Sequence, residues 1–451
     1  MKVLFGTIGY PPNIVGGTEV YVQGLVEDLC KKGIKVSVIC FANITESAGN
    51  FHCWESDVNS IKIYNVGINK IKLKKHDWTY EINYRNELTE IFAKVVEKEK
   101  PDIVHIHPGS IGLWLGLLKQ TKEKEIINIV TFHSSNTTCA RFDMVKFGKT
   151  DCDGFIDQKT CTVCLMNSRG VHKLIGNILS ILPEKINYLL SSILNLVPRI
   201  GGKLCTLFRM KKVVSNQKND WDNSLKFVDA MVAVCDWVEH CAFINGVDKG
   251  KIYKSRHGLR IRPKIVKNVK KGPIKFGYIG RLSREKGINL LMEAFRDIPK
   301  DLDFSLEICS STFLDENNIY VKKLQQMSGI DNRIVCRGKI EDDNLEFILS
   351  DWDALIVPSI WFESGPQVVY EAFSVQTPVI GSQRGGISEL VIEGETGFLF
   401  KPGNVFQLKN IIIDCILNPV KLRELRGNIP LQRSVANVGD DMIQLYRKLC
   451  H

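Results

Sequence analysis

Short apolar runs alternate with amphipathic segments along the first half of the chain. A run at residues 2–5 predicts a β-strand, and apolar positions 22, 25, 26 and 29 have the spacing of a helix over 19–32. Further strands are predicted at 35–40, 103–106, 127–132 and 231–234. Strands that alternate with helices predict a parallel sheet covered by helices on both faces.

The same alternation restarts in the second half. It predicts strands at 274–279, 304–308, 354–357 and 378–380, and helices at 288–295 and 366–373. Residues 261–272, with four lysines, are predicted to form the linker. A chain of 451 residues is too long for one core. The predicted fold class is α/β, with two doubly wound domains at 1–270 and 271–430 and a C-terminal helix within 431–451.

Composition and charge narrow the class of protein. With 44% hydrophobic and 24% charged residues, the chain is typical of a globular protein. Eight basic residues and one acidic residue lie between Leu165 and Val214, whereas the rest is close to balance, so we expect no nucleic-acid partner. The first apolar run is too short for a signal peptide, and no 18 consecutive residues are apolar. We therefore expect a cytoplasmic location.

The alternation is interrupted by an insertion at about 139–219, which carries four of the 14 cysteines. They are Cys139, Cys152, Cys161 and Cys164, and the last two form a Cys-x-x-Cys pair, a half-site for tetrahedral zinc. Three alternatives stay open: a structural zinc ion, an iron–sulfur cluster, and reduced thiols without metal. Four thiolates would close the site, so such a metal would not be catalytic.

Two apolar sets with helical spacing follow the cysteines, one on each side of Pro183. They are Val171, Leu174, Ile175, Ile178 and Leu182, then Ile186, Leu189, Leu190, Ile193 and Val197. Within 171–212 they predict a helical hairpin with basic ends. It either lies on an anionic membrane surface or packs on the protein's own core.

Two loops carry candidate chemistry in the second half. The strand ending at 279 leads into Gly280–Gly287, where Arg281 and Lys286 are cations suited to a diphosphate; a solvated charged loop is the alternative. The strand at 354–357 leads into a loop with Glu363 and a helix predicted to begin at Pro366. Glu371 lies on that helix, and both carboxylates could accept hydrogen bonds from sugar hydroxyls.

These loops, with the segments Gly-Gly-Ile-Ser-Glu-Leu at 385–390 and Gly-Glu-Thr-Gly-Phe-Leu at 394–399, resemble those of family 4 glycosyltransferases. The resemblance covers nearly all of 271–430 and the N-terminal half more loosely, but it does not extend to the insertion. It implies the GT-B fold, with two Rossmann-like domains facing across a cleft. It also implies transfer with retention of configuration and no catalytic metal.

The resemblance implies roles for individual residues. Glu363 would contact the donor sugar near the reaction centre, and Glu371 would bind the ribose. Arg281, Lys286 and Gly365 would bind the rest of the donor, together with Gly16 and Gly17 of the first domain. His133 would touch the transferred sugar. His107 is a second candidate, and His105 is predicted to be structural.

The sequence departs from the family pattern at two turns. Arg256-His257-Gly258 stands where the family often has an Asn-Gly turn, so the role of His257 stays open. Gly365-Pro366 replaces the common Phe-Gly pair, which leaves the donor sugar undefined.

The resulting hypothesis is a hexosyltransferase-type enzyme of cell-surface polysaccharide assembly. Its donor would be a nucleotide sugar, its acceptor a glycan or a lipid-linked sugar, and its place the inner face of the membrane, as a peripheral protein. A nucleotide-sugar epimerase and a non-catalytic scaffold of the same fold are the alternatives.

Overall fold

The computed structural model describes residues 1–12, 16–44, 51–69, 85–194, 201–259, 272–315, 317–340 and 344–450. The chain forms two compact units, Met1–Arg256 with Val438–His451, and His257–Asn437. The division thus lies earlier than the predicted boundary at 270. Apart from Gly272, the predicted linker falls outside the described residues.

The first unit is built on a parallel sheet. Within the described residues its strands run in the order β10-β9-β6-β5-β1-β2-β4-β3, and only β3 is antiparallel to its neighbour. The short pair β7–β8 stands apart. The strands are β1 (Lys2–Thr7), β2 (Lys35–Ile44), β3 (Phe51–Val58), β4 (Ile61–Asn69), β5 (Ile103–His107), β6 (Ile127–Phe132), β7 (Val145–Lys146), β8 (Thr150–Asp151), β9 (Ala230–Ala233) and β10 (Ile252–Lys254).

Both faces of this sheet are buried. Leu4 belongs to the core on one face, whereas Val3 and Phe5 belong to the core on the other, because successive side chains of a strand point in opposite directions. The covering helices and those of the insertion are α1 (Gly17–Lys31), α2 (Arg85–Glu99), α3 (Leu115–Glu123), α4 (Gln158–Ser168), α5 (Lys173–Ile181), α6 (Glu184–Leu194), α7 (Gly201–Ser224) and α8 (Asp236–Ile244).

The second unit repeats the design with a sheet of order β13-β12-β11-β14-β15-β16, parallel throughout the described residues. Its strands are β11 (Ile274–Ile279), β12 (Phe304–Cys309), β13 (Ile334–Arg337), β14 (Ala354–Val357), β15 (Val379–Ser382) and β16 (Gly397–Phe400). Its helices are α9 (Ile288–Arg296), α10 (Ile319–Ile330), α11 (Leu345–Asp351), α12 (Gln367–Ser374), α13 (Gly385–Leu390), α14 (Val405–Leu417) and α15 (Pro419–Asn428).

The last helix, α16 (Val435–Cys450), returns the chain to the first unit. Its residues Val438, Met442, Leu445 and Tyr446 are buried in the same core cluster as Val3 and Phe5. The sequence predicts this helix but not its packing partner. The helix packs on the sheet that contains β1.

One predicted helix start needs correction. The sequence predicts Pro366 at the first helical position, but this residue has extended backbone and is the N-cap, so α12 begins at Gln367. A proline fixes φ near −65° but not ψ, and ψ is 121° here.

The insertion belongs to the first unit and is mainly helical. The two predicted helices are present as α5 and α6, but within the described residues they do not pack on each other as a hairpin: α5 packs on α4, and α6 packs on the longer α7 that follows it. Val171 and Leu179 pack against the small core of the insertion. Seven other apolar side chains of α5 and α6 are exposed, by 44% to 68%: Leu174, Ile175, Ile178, Ile181, Ile186, Leu189 and Ile193. This observation removes the alternative of burial for these side chains.

Candidate active site

The loops after β11 and β14 meet at one edge of the second sheet. The two strands are neighbours and parallel, so their carboxyl ends lie side by side. The N–H of Ile360 donates to the carbonyl of Glu285 at 2.9 Å. Gly287 has a left-handed φ of 72°, and a β-carbon there would lie 1.8 Å from the carbonyl oxygen of Pro358. Only glycine allows this approach of the two loops.

Lys286 and Glu363 form an ion pair at this junction. The Lys286 ammonium lies 2.6 Å from Oε1 of Glu363, a residue that is only 9% exposed. The same oxygen accepts hydrogen bonds from the Ser359 hydroxyl at 2.9 Å and from the Trp361 indole N–H at 2.7 Å. Burial acts to raise the pKa of the Glu363 carboxyl, but the Lys286 charge and these hydrogen bonds outweigh it, so the pKa lies below its ordinary value.

Ser359 and Trp361 were missed by sequence reasoning. The Trp361 ring also lies under the Lys286 ammonium, 5.3 Å from its centroid. Both residues stand in the same short loop as Glu363, and this proximity was the available signal.

Helix α13 holds the backbone of Glu363. The Gly386 N–H donates to the Glu363 carbonyl at 2.6 Å. Gly385 has a left-handed φ of 53°, and a β-carbon there would lie 2.8 Å from the same carbonyl oxygen. The glycine pair recognised in the sequence therefore fixes the loop that carries the candidate catalytic carboxylate.

Arg281 lies on the surface of the first loop. Its side chain is 63% exposed and 3.8 Å from Glu285, and its carbonyl accepts a hydrogen bond from the Tyr278 hydroxyl at 2.7 Å. The structure thus brings Lys286 and Glu363 into contact and leaves Arg281 as an accessible cation on the same loop.

Gly365 and His257 are joined in the second unit. The Nδ1 atom of His257 lies 3.1 Å from the carbonyl oxygen of Gly365, so this nitrogen carries the proton and donates it. Burial lowers the pKa of His257 to about 4, so the ring is neutral. His257 therefore holds the backbone of the loop that contains Gly365. Glu371 lies half-buried in the second turn of α12.

The first unit positions its own candidates at the carboxyl ends of β5 and β6. His107 ends β5 and His133 follows β6, and His107 Nδ1 lies 2.8 Å from His133 Nε2. The Tyr21 ring of α1 meets His133 edge-on at 4.8 Å. Gly16 is the N-cap of α1. A β-carbon added at Gly17 would meet no atom within 4 Å.

His105 is fully buried and has structural contacts. Its Nδ1 lies 2.7 Å from the Tyr446 hydroxyl and its Nε2 2.7 Å from the Thr131 hydroxyl. Burial lowers its pKa to about 3, so it is neutral. These bonds tie α16 to the sheet.

Two family models match the chain. The model for group 1 glycosyl transferases matches residues 261–430, and the model for glycosyltransferase family 4 matches residues 15–154. The chain belongs to glycosyltransferase family 4. The predicted family is thus confirmed, and the enzyme class is that of the glycosyltransferases.

Relatives agree with this assignment, and solved structures agree with the predicted fold. An uncharacterized glycosyltransferase of Methanocaldococcus jannaschii is 22% identical over 99% of this glycosyltransferase and 98% of its own length. A lipopolysaccharide 1,2-N-acetylglucosaminetransferase of Salmonella typhimurium is 32% identical over 27% of this chain and 33% of its own. The structure of Anabaena HepE with UDP-glucose covers 100% of this chain and 98% of that one, with a TM-score of 0.60 and 16% identity. The predicted GT-B fold is confirmed.

The structure also bears on membrane insertion. Among the residues that the structure describes, no helix combines the length and apolar character needed to cross a bilayer.

Proposed function

We propose that this glycosyltransferase transfers a sugar, with retention of anomeric configuration, from a nucleotide-diphosphate donor to a glycan or lipid-linked acceptor in cell-surface polysaccharide assembly. The observation that carries the proposal is the Lys286–Glu363 pair at the joined ends of β11 and β14. It sets a cation beside a carboxylate at the sheet edge where ligands of such folds bind.

The division of labour follows from charge and exposure. The Lys286 ammonium has three donors, so it can hold Glu363 with one and offer the others to a diphosphate leaving group. Arg281, exposed on the same loop, supplies a second positive charge. Glu363, whose lowered pKa keeps the carboxylate ionised, accepts hydrogen bonds from hydroxyls of the transferred sugar. Glu371 binds the ribose, and Gly365 closes the donor loop.

The first unit supplies the remaining groups. The exposed backbone of Gly16 and Gly17 at the start of α1 offers N–H groups to donor phosphate. His133, oriented by its hydrogen bond to His107, contacts the transferred sugar. No catalytic metal takes part, since Arg281 and Lys286 neutralise the diphosphate.

Helices α5 and α6 provide a membrane surface close to lipid-linked acceptors. Their small or polar residues Gly176, Ser180, Asn187 and Ser191 are buried, while seven of their leucines and isoleucines are exposed. This arrangement is the reverse of an ordinary surface helix. The exposed cations Arg169, Lys173, Lys185 and Lys212 accompany it. Apolar insertion plus attraction to anionic headgroups is how interfacial helices bind.

A donor screen tests the enzymatic proposal. The purified chain is incubated with a panel of nucleotide sugars, nucleoside diphosphate release is measured, and the anomeric configuration of the product is followed by NMR. Glu363→Gln should abolish release, whereas the exposed Glu395→Gln should not change it. Equal release by Glu363→Gln would remove its role, an epimerised free nucleotide sugar would favour the epimerase, and absence of donor binding would favour the scaffold.

Vesicle sedimentation tests the membrane surface. Wild type should bind vesicles rich in phosphatidylglycerol and bind phosphatidylcholine weakly. Leu174→Glu with Ile178→Glu, both exposed by about two-thirds, should lose binding, whereas the control Ile330→Glu, at an 83% exposed site of the second unit, should retain it. If the double variant instead splits a dimer and leaves vesicle binding intact, the surface is a protein interface.

A further inference from the structure

The four clustered cysteines of the insertion line one cavity of about 90 Å³. They arrive from three different places in the chain. Cys139 follows the short turn Ser135–Thr137, Cys152 follows β8, and Cys161 and Cys164 lie on α4. The last two are three residues apart, so they project from one face of the helix. The fold therefore gathers thiols that are separated by 12, 8 and 2 residues.

The thiols remain free and are held in place by the loop. None of the four is in a disulfide among the described residues. The backbone N–H of Phe147 donates to Sγ of Cys164 at 3.1 Å, which holds this sulfur against the loop.

The loop that carries Cys139 and Cys152 is strained. Phe142, Met144 and Phe147 all have left-handed backbone, with φ of 69°, 57° and 55°. Each such conformation is unfavourable for a non-glycine residue and persists only where the surroundings impose it. The nearby core is small, being built on Leu165, Met166, Met210 and Val214. A cross-link between the loop and α4 would supply the missing constraint.

We propose that Cys139, Cys152, Cys161 and Cys164 bind one structural Zn²⁺. Four thiols lose their protons as four Zn–S bonds of about 2.3 Å form, and the complex carries a charge of −2. Within the described part of the chain, no three His, Cys, Asp or Glu side chains already stand as a metal-ligand set. Binding therefore includes a turn of the thiols toward the centre of their common cavity.

Zinc fits better than an iron–sulfur cluster. Cluster-binding segments space their cysteines by two to four residues, whereas the gaps of 12 and 8 here bring a separate loop onto a helical Cys-x-x-Cys pair. The zinc would join this loop to α4 and would not take part in sugar transfer, because its four positions are filled.

Elemental analysis of the purified full chain, after dialysis against a weak chelator, tests the proposal. About one equivalent of zinc is expected, and modification of the thiols with a mercurial should release it. Cys161→Ser with Cys164→Ser should lose the zinc and lower the melting temperature. Cys241→Ser is the matched control, because Cys241 donates to the carbonyl of Asp153 next to the cluster but does not line the cavity. It should keep the zinc.

Several outcomes would overturn the proposal. Iron in the protein, together with visible sulfur-to-iron charge-transfer absorbance, would identify an iron–sulfur cluster instead. A folded wild-type protein without metal would show that the four cysteines bind none. Equal zinc in wild type and the double variant would place the metal elsewhere. If the double variant does not fold, the metal content and mercurial release of wild type still decide.

Discussion

The Lys286 ammonium donates to the Glu363 carboxylate at 2.6 Å and so joins the loops that follow two neighbouring strands. The family resemblance implies different roles for them, with Lys286 at the diphosphate and Glu363 at the transferred sugar. In the proposed function, this contact couples charge on the leaving group to hydrogen bonding with the sugar, because an anion bound by Lys286 also changes the electric field at Glu363.

Replacing Lys286 should move the pH dependence of the enzyme. In Lys286→Met the carboxylate keeps its burial but loses the positive charge, so the pKa of Glu363 rises. The acid limb of kcat/KM should shift to higher pH, and activity at neutral pH should fall by a hundredfold or more, about the effect of losing one transition-state donor. Arg281→Met should weaken donor binding without moving the limb, because its side chain is exposed. An unmoved limb in Lys286→Met would contradict the coupling.

Gly287→Ala should separate the two loops. Gly287 and Gly394 share nearly the same left-handed φ, 72° and 73°, but a β-carbon at 287 meets the Pro358 carbonyl, whereas one at 394 meets no atom within 4 Å. Gly394→Ala should therefore cost about 1–2 kcal/mol in unfolding free energy and leave kcat unchanged. Gly287→Ala should cost more and abolish transfer. Urea unfolding and donor kinetics measure both, and equal effects would show that strain alone matters.

Much of the second unit could be predicted because its strands are buried on both faces and appear as continuous apolar runs. The predicted bounds of β11 and β14 match the structure. By contrast, β3 lies at a sheet edge, and four of its eight residues are polar, so its pattern is too weak to predict a strand. The contact of Glu363 with Lys286 and the packing of α16 join distant segments of the chain, which local spacing does not encode. The same limit hid the reversed burial of α5 and α6.

His107 should act on catalysis through His133. His107→Phe keeps a ring to pack near Phe5 but removes the nitrogen that orients His133. We expect kcat to fall about tenfold, the worth of one hydrogen bond, with little change in donor KM. His105→Phe is the control on the same strand, since its partners Tyr446 and Thr131 are structural. The control should lower the melting temperature and leave kcat unchanged. If His107→Phe does the same, His107 has only a structural role.

His105 should make the first unit less stable in mild acid. Burial lowers its pKa from 6.5 to about 3, so below pH 6.5 the unfolded chain binds a proton that the folded chain excludes. The stabilisation is complete above pH 6.5 and is lost progressively as the pH falls toward 3. The slope is about 1.4 kcal/mol per pH unit, or about 2 kcal/mol between pH 6.5 and 5. His105→Gln keeps a donor and an acceptor for Tyr446 and Thr131 but does not titrate. When the free energy of unfolding in urea is measured at several pH values, its pH dependence should therefore be smaller in the variant by this amount. Parallel slopes for the two proteins would mean that His105 is protonated in the folded state, which its enclosure between α16 and β6 opposes.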